Sequence, residues 1–180
     1  MHRKPLLNLL LNHQPADENE QRMLEQTIQF VQNHADCFER HLQIGHVTGS
    51  AWIVSPDRQK VVLLHHAKLD RWFQPGGHAD GDPDVLAVAL REAEEETGLL
   101  DLNVIGPGIF DVDVHTIPAR QNEPEHLHYD IRFLLEAATD HPFIRTRETK
   151  DVRWVAYGEI ESLTSEKSIL RMKNKVIAKN

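Results

Sequence analysis

Cysteine is almost absent from this chain, basic residues are outnumbered, and no long apolar run occurs. Each shortage removes a class of function. Cys37 is the single cysteine in 180 residues, so no internal disulfide can form and a reducing compartment is expected. The 20 Lys+Arg stand against 28 Asp+Glu, a formal charge of -8. That balance argues against a nucleic-acid polymer as partner, because phosphates demand a basic face. The stretch 85–90 is among the longest apolar runs, far below the ~20 residues of a membrane span. His2-Arg3-Lys4 followed by Leu6, Leu7, Leu9, Leu10 and Leu11 superficially resembles a secretion signal. Asn8 interrupts it, however, and no small-residue cleavage site follows. The segment reads as a short helix docking on the main body, and the expected location is cytoplasmic, with no membrane partner.

The length fits one domain with a small appendage. Residues 1–40 read as a helical N-terminal extension: Asp17 and Glu20 have the spacing of a capping box, and Met23, Leu24, Thr27, Ile28 and Val31 recur at helical intervals. From 41 to 180 the pattern is mixed. Strands are expected over 47–54 and 61–64, joined as a hairpin by Ser55-Pro56-Asp57-Arg58. A loop over 68–82 carries Trp72, Phe73 and Pro75-Gly76-Gly77. A helix then runs from Pro83 or Asp84 to Thr97, with Gly98 as its stop. Alternating segments at 109–117 and 126–135 flank a loop over 118–124. A strand at 152–155 and a helix over 165–179 complete an α/β chain.

The helix ending at Gly98 carries the chemistry. Leu86, Ala89, Leu90, Ala93 and Thr97 form its expected buried stripe. Glu92, Glu95 and Glu96 share a face beside that stripe, because their i, i+3, i+4 spacing makes them neighbours. Two such charges about 4 Å apart repel by roughly 1 kcal/mol in water and about 4 kcal/mol at an effective dielectric near 20. Arg91 can offset part of this repulsion. A hard divalent ion, Mg²⁺ or Mn²⁺, would offset the rest and could hold diphosphate oxygens. On the glutamates alone, a solvated acidic face is the favoured reading.

With the preceding glycine included, the run Gly77 to Leu99 resembles the Nudix hydrolase signature. Gly77 fits its first glycine, and Arg91-Glu92-Ala93-Glu94-Glu95-Glu96-Thr97-Gly98-Leu99 fits its second half in register. Pro83 stands where the signature has an early glutamate; Asp80, Asp82 and Asp84 are the acids nearby. The resemblance implies an α/β fold, a Nudix-type α/β/α sandwich with a mixed sheet. It also implies Mg²⁺- or Mn²⁺-dependent hydrolysis of a nucleoside diphosphate linked to another moiety. By position, Glu92, Glu95, Glu96 and the Gly77 carbonyl would hold metal, and Arg91 would orient the carboxylates. Glu92 or Glu95 would take the proton, with a carboxylate or histidine from a later loop as competitor. Nucleotide sugars, ADP-ribose-like compounds and nucleoside triphosphates remain open as substrates, as does a homodimer.

A second constellation lies downstream. Asp111, Asp113 and His115 alternate with apolar residues, as do His126, His128, Asp130 and Arg132. Antiparallel pairing would set the two polar rows side by side, either as the wet face of a hairpin or as a substrate pocket or auxiliary metal site. His115, His126, His128, Asp111 and Asp113 are the substrate-binding candidates; Glu123 and Glu125, in the loop beside them, are weaker candidates for a metal or base group. Trp72 and Phe73 could stack on a base or simply pack. His65, His66 and His78 lie near the presumed site. Two other functions compete: a non-catalytic nucleotide sensor, and an isopentenyl-diphosphate isomerase, which would need a pocket cysteine where only Cys37 is available. Seven acids and one arginine fall within Gly77 to Leu99, so most of the net charge is this one cluster.

Overall fold

In the computed structural model, which describes residues 2–120, 123–144 and 146–178, the central strand β1 (Gly45–Val54) is buried along its whole length. It has neighbours on both edges, and that is why its sequence carries no Lys, Arg, Asp or Glu. On one edge β1 runs parallel to β7 (His126–Glu136), in register from Gly45↔Leu127 to Val54↔Glu136. The other edge is shared. β2 (Lys60–His66) pairs antiparallel at Val54↔Val61, and the short β4 (Gly76–His78) pairs at Thr48↔His78 through Ser50↔Gly76. β2 also carries β3 (Arg71–Phe73) and β8 (Thr149–Ala156). β7 carries β5 (Asn103–Val104) and β6 (Asp111–Ile117). The result is one mixed, branching sheet of eight strands.

Two apolar clusters lie on its faces. Helix α3 (Val85–Thr97) packs against β1 where Gly49 removes the side chain; a Cβ there would meet the Val85 carbonyl oxygen at 2.7 Å. Helices α1 (Lys4–Asn12) and α2 (Glu18–Asn33) join this cluster through Leu6, Leu10, Leu24, Phe30 and Val31. The expected N-terminal extension therefore packs into the core of the sheet. The second cluster joins Trp52, Val54 and Leu134 to Ile160 of α4 (Ile160–Leu163) and to Ile169, Met172 and Val176 of α5 (Lys167–Ile177). No helix among the described residues is long and apolar enough to cross a membrane.

Several expectations shift. Asp17 caps α2 by accepting from the Glu20 N–H at 2.7 Å. Glu20 does not close the box onto Asp17, however. Its carboxylate accepts from the Ala16 N–H and from the Val112 N–H of β6. Met23 Sδ accepts from the Val114 N–H at 3.2 Å, so α2 covers the edge of β6. Pro83 sits just outside α3, whose N-cap is Asp84. The loop expected over 68–82 contains β3 and β4, strands of three residues that are too short to produce an alternation. Part of the 118–124 loop, Gln121 and Asn122, and the expected helix end at Lys179 lie outside the described residues.

Candidate functional site

The buried side of α3 is set by Val85, Val88, Ala89, Ala93 and Thr97, while Leu86 and Leu90 are only half-buried. That stripe is rotated from the expected one towards the glutamates. Glu92 and Glu96 consequently continue the buried row towards the C-terminal end of the helix. The Glu92 side chain is 15% exposed, against 60% for Glu95. Opposite them runs β4. Gly77 faces α3, and a side chain there would overlap the Glu92 carboxylate. The Gly76 N–H donates to Glu96 Oε2 at 2.9 Å. The paired glycines thus let two carboxylates lie against backbone, and this close approach is the physical use of Gly-Gly at the site. Gly98, at φ 75°, ends α3 with its N–H on the Glu94 carbonyl.

Charge is poorly balanced here. Arg91 donates to Glu92 at 2.7 Å, lies 3.6 Å from Glu95, and donates to the His78 carbonyl at 3.1 Å. It therefore ties the helix to β4, as an orienting residue would. Among the described residues Glu96 receives no guanidinium. Burial pushes its carboxyl up to about 7, reinforced by the negative charges of Glu92, Glu148 and Glu95, and the Gly76 N–H opposes this only in part. Burial also raises Glu92, against the pull of Arg91. Three carboxylates share one hydrogen-bonded arginine, with Arg40 acting on Glu92 only through its field, and this hard, oxygen-only donor set, short of counter-charge, suits a divalent cation of the Mg²⁺ type. The Gly77 carbonyl belongs to the same strand. Glu148, just before β8, exerts its field on Glu96 and was not among the sequence candidates; nothing in its local sequence distinguishes it.

On the sheet face away from α3, the alternating rows lie side by side. β6 and β7 pair as Asp111↔Arg132, Asp113↔Asp130, His115↔His128 and Ile117↔His126. The face is buried rather than wet at Asp111, Asp113, His126, Asp130 and Arg132. It divides into two zones. Asp111 is held by Arg171 at 2.8 and 2.7 Å, by Arg132 at 3.2 Å and by Lys175 at 2.7 Å. Asp113 meets Arg132 and Arg171, which together with His115 keep it well below the usual carboxylate range despite burial. These ion pairs fasten α5 to the sheet. Asp130 accepts from Thr48 at 2.9 Å, Ser50 at 2.7 Å and Arg132 at 2.7 Å.

In the second zone, histidines gather. His126 and His128 lie beside His46 of β1 and His78 of β4, with ring centroids 4.8–5.2 Å apart for all but one of the pairs among these four; His115 is 5.5 Å from His128. Burial, then neighbouring histidines and Arg40, lowers His46 and His78 to about 4. His46 was missed in the sequence. The alternation His46-Thr48-Ser50 is present, but its relation to His126-His128-Asp130 depends on a parallel register that no local signal encodes.

The remaining candidates are otherwise engaged. Trp72 stacks on His65 at 4.9 Å with the Arg153 guanidinium 4.7 Å from its ring, and Phe73 packs on the core. His66 is edge-on to Phe73. Cys37 is fully buried, its thiol pushed up to about 11 by burial, so it is no pocket nucleophile. Asp80 pairs with Arg40, Asp82 accepts from the Asp84 N–H, and Asp84 accepts from the Ala87 N–H. Glu123 and Glu125 are exposed.

Comparison with known proteins agrees with this geometry. The family model described as the NUDIX domain matches residues 46–174. A protein of Lactococcus lactis subsp. cremoris named as a probable DHNTP pyrophosphohydrolase is 32% identical over 92 residues, which is 50% of this chain and 53% of the relative. The chain thus spans about half the length of the curated relative it matches. Among solved structures, an Ap4A hydrolase of C. elegans superposes with a TM-score of 0.59 at 15% identity, covering 73% of this chain and 95% of its own. A NUDIX-family hydrolase of Clostridium perfringens gives 0.57 at 21%, covering 75% and 98%. The dihydroneopterin triphosphate pyrophosphohydrolase of E. coli gives 0.55 at 17%, covering 73% and 95%. These three share the fold, and the family match extends from β1 into α5. The chain belongs to the Nudix hydrolase family.

Proposed function

We propose that this protein hydrolyses a pyrophosphate bond in a nucleoside diphosphate linked to another moiety, with water attacking phosphorus. The observation that carries the reading is the apposition of Glu92 and Glu96 to Gly77 and Gly76, with Arg91 the one cation hydrogen-bonded to them among the described residues. Glu92, Glu95, Glu96 and the Gly77 carbonyl would hold Mg²⁺ or Mn²⁺. When bound, such an ion neutralises charge on the diphosphate and lowers the pKa of water. Arg91 fixes the rotamer of Glu92 and keeps β4 against α3. Glu95, the most exposed of the three, is free to take a proton from the attacking water, and Glu92 is the alternative. Glu148 is the later-loop carboxylate that competes for this role.

The substrate would reach from the α3 carboxylates past β4 to the polar sheet face, where His115, His126 and His128 line one zone. Asp111 and Asp113 support that face by holding Arg132 and Arg171 in place. Nucleotide sugars, ADP-ribose-like compounds and nucleoside triphosphates fit this reading, and the Lactococcus relative's name adds a pterin triphosphate to the panel. We place the activity in the cytoplasm, on small substrates rather than nucleic-acid polymers. The test is phosphate or pyrophosphate release across such a panel with Mg²⁺ and Mn²⁺, beside Glu95→Gln and Glu96→Gln. Turnover should fall by ~10²-fold or more in each variant, corresponding to several kcal/mol of lost charge stabilisation. Turnover unaffected by both substitutions refutes the site. Nucleotide binding without turnover would favour a sensor.

A further inference from the structure

We propose that His46, His78 and His128 form a second metal site, distinct from the carboxylates of α3, that takes a borderline transition-metal ion such as Zn²⁺. The three residues come from three strands. His46 and His128 are direct partners in the parallel β1–β7 ladder, and His78 is paired with Thr48, so all three project from the same face of the sheet. One ring nitrogen from each lies within 4.8 Å of the others. A tetrahedral ion with Zn–N bonds of about 2.0–2.1 Å places its ligand nitrogens about 3.3 Å apart, so modest ring rotations close the set.

The hydrogen bonding points to a ligand. His46 is 4% exposed, yet neither of its ring nitrogens finds a partner at bonding geometry, the Leu42 carbonyl exerting only a minor pull. His128 Nε2 is buried and likewise unpartnered. Buried polar atoms without partners cost about 1–3 kcal/mol each, and three at one place mark a position where an electron-pair acceptor binds. Burial, with His126 and Arg40, lowers His46, and burial, with His78, His115 and His46, lowers His128. Neutral imidazole suits a metal and does not suit an anion, which would need imidazolium. No carboxylate belongs to the trio, and that separates it from the Mg²⁺-type oxygen set on the other face.

The surroundings match those of a histidine-ligated ion. His126 Nδ1 lies 2.9 Å from the Pro124 carbonyl, which can only accept, so this nitrogen carries the proton and Nε2 keeps its lone pair. His115 Nδ1 is similarly fixed by Asp113 Oδ2 at 3.1 Å. Carbonyl–histidine and carboxylate–histidine pairs of this kind orient metal-binding rings. They make His126 and His115 the available fourth ligands. The two sites meet at the Gly77-His78 peptide: Gly77 faces Glu92, the His78 ring faces the histidines, and Arg91 holds the His78 carbonyl.

The test uses the full chain, stripped with a chelator and titrated with Co²⁺ at pH 7.5. The expected result is one equivalent bound with intense visible bands of a four- or five-coordinate nitrogen site, displaced by Zn²⁺. These bands should persist in a Glu92→Gln/Glu96→Gln double variant, while affinity falls at least ~100-fold in His46→Gln and in His78→Gln. Should either histidine variant lose its native circular dichroism, ring-nitrogen NMR of the unsubstituted protein decides, with Zn²⁺ shifting His46, His78 and His128 together. Absence of the bands, their loss in the glutamate variant, or ring shifts that omit these three histidines overturns the proposal.

Discussion

Glu92 lies so close over Gly77 that no side chain fits between the α3 carboxylate and the β4 backbone. Gly77→Ala should therefore displace Glu92 rather than strain the fold as a whole. Overpacking of this kind costs about 1–3 kcal/mol, and part of that cost relaxes by rotation of the carboxylate. The expected outcome is a folded protein whose turnover drops by ~10-fold or more, measured as kcat and melting temperature together. A variant with unchanged kcat would mean that Glu92 need not occupy this position.

Glu96 sets function against stability. Its carboxyl is raised to about 7 from an ordinary 4.5 by burial and by Glu92, Glu148 and Glu95. A raised carboxyl contributes stability below pH 4.5 and loses it as pH rises through about 7. Without divalent metal, Glu96→Gln should gain about 2–3 kcal/mol on the unsubstituted protein between pH 5 and pH 8. Millimolar Mg²⁺ should remove the gap by stabilising the unsubstituted protein alone. Chemical denaturation at the two pH values reads this directly.

Glu20 behaves in the opposite sense. Burial would raise it, but hydrogen bonds from His13, the Ala16 N–H and Lys175 hold it at about 2. Its contribution is present above pH 4.5 and lost as pH falls through about 2. Glu20→Gln should cost about 3 kcal/mol at pH 7, and the difference from the unsubstituted protein should narrow steadily between pH 4.5 and 2. Urea unfolding at pH 7 and pH 3 checks it. The same contacts join α2 to β6 and α5, so this acid couples the N-terminal helices to the sheet.

What was legible in the sequence follows the range of each signal. Helix α3, its Gly98 stop and the Glu92-Glu95-Glu96 row depend on local spacing, and all were readable. The paired rows on β6 and β7 were readable because a single loop joins them. The stripe on α3 was misjudged by about one position, since Val85 and Val88 pack at Gly49 of a strand about 40 residues earlier. β4 escaped notice because two glycines offer no alternation; it pairs with β1 only because the sheet leaves that edge open. His46 and Glu148 are invisible locally: the parallel β1–β7 register brings the first to His128, and the approach to β8 brings the second near Glu96. Asp111 looked like a site residue by alternation, yet it is held by Arg171 and Lys175 from α5, 60 and 64 positions later.

Mn²⁺ binding followed by electron paramagnetic resonance tests most directly whether the crowded glutamates of α3 constitute the metal site. At pH 8 the unsubstituted protein should bind Mn²⁺ competitively with Mg²⁺, and Glu92→Gln and Glu96→Gln should each weaken binding by ~10-fold or more. Equal Mn²⁺ affinity in all three proteins would contradict that assignment.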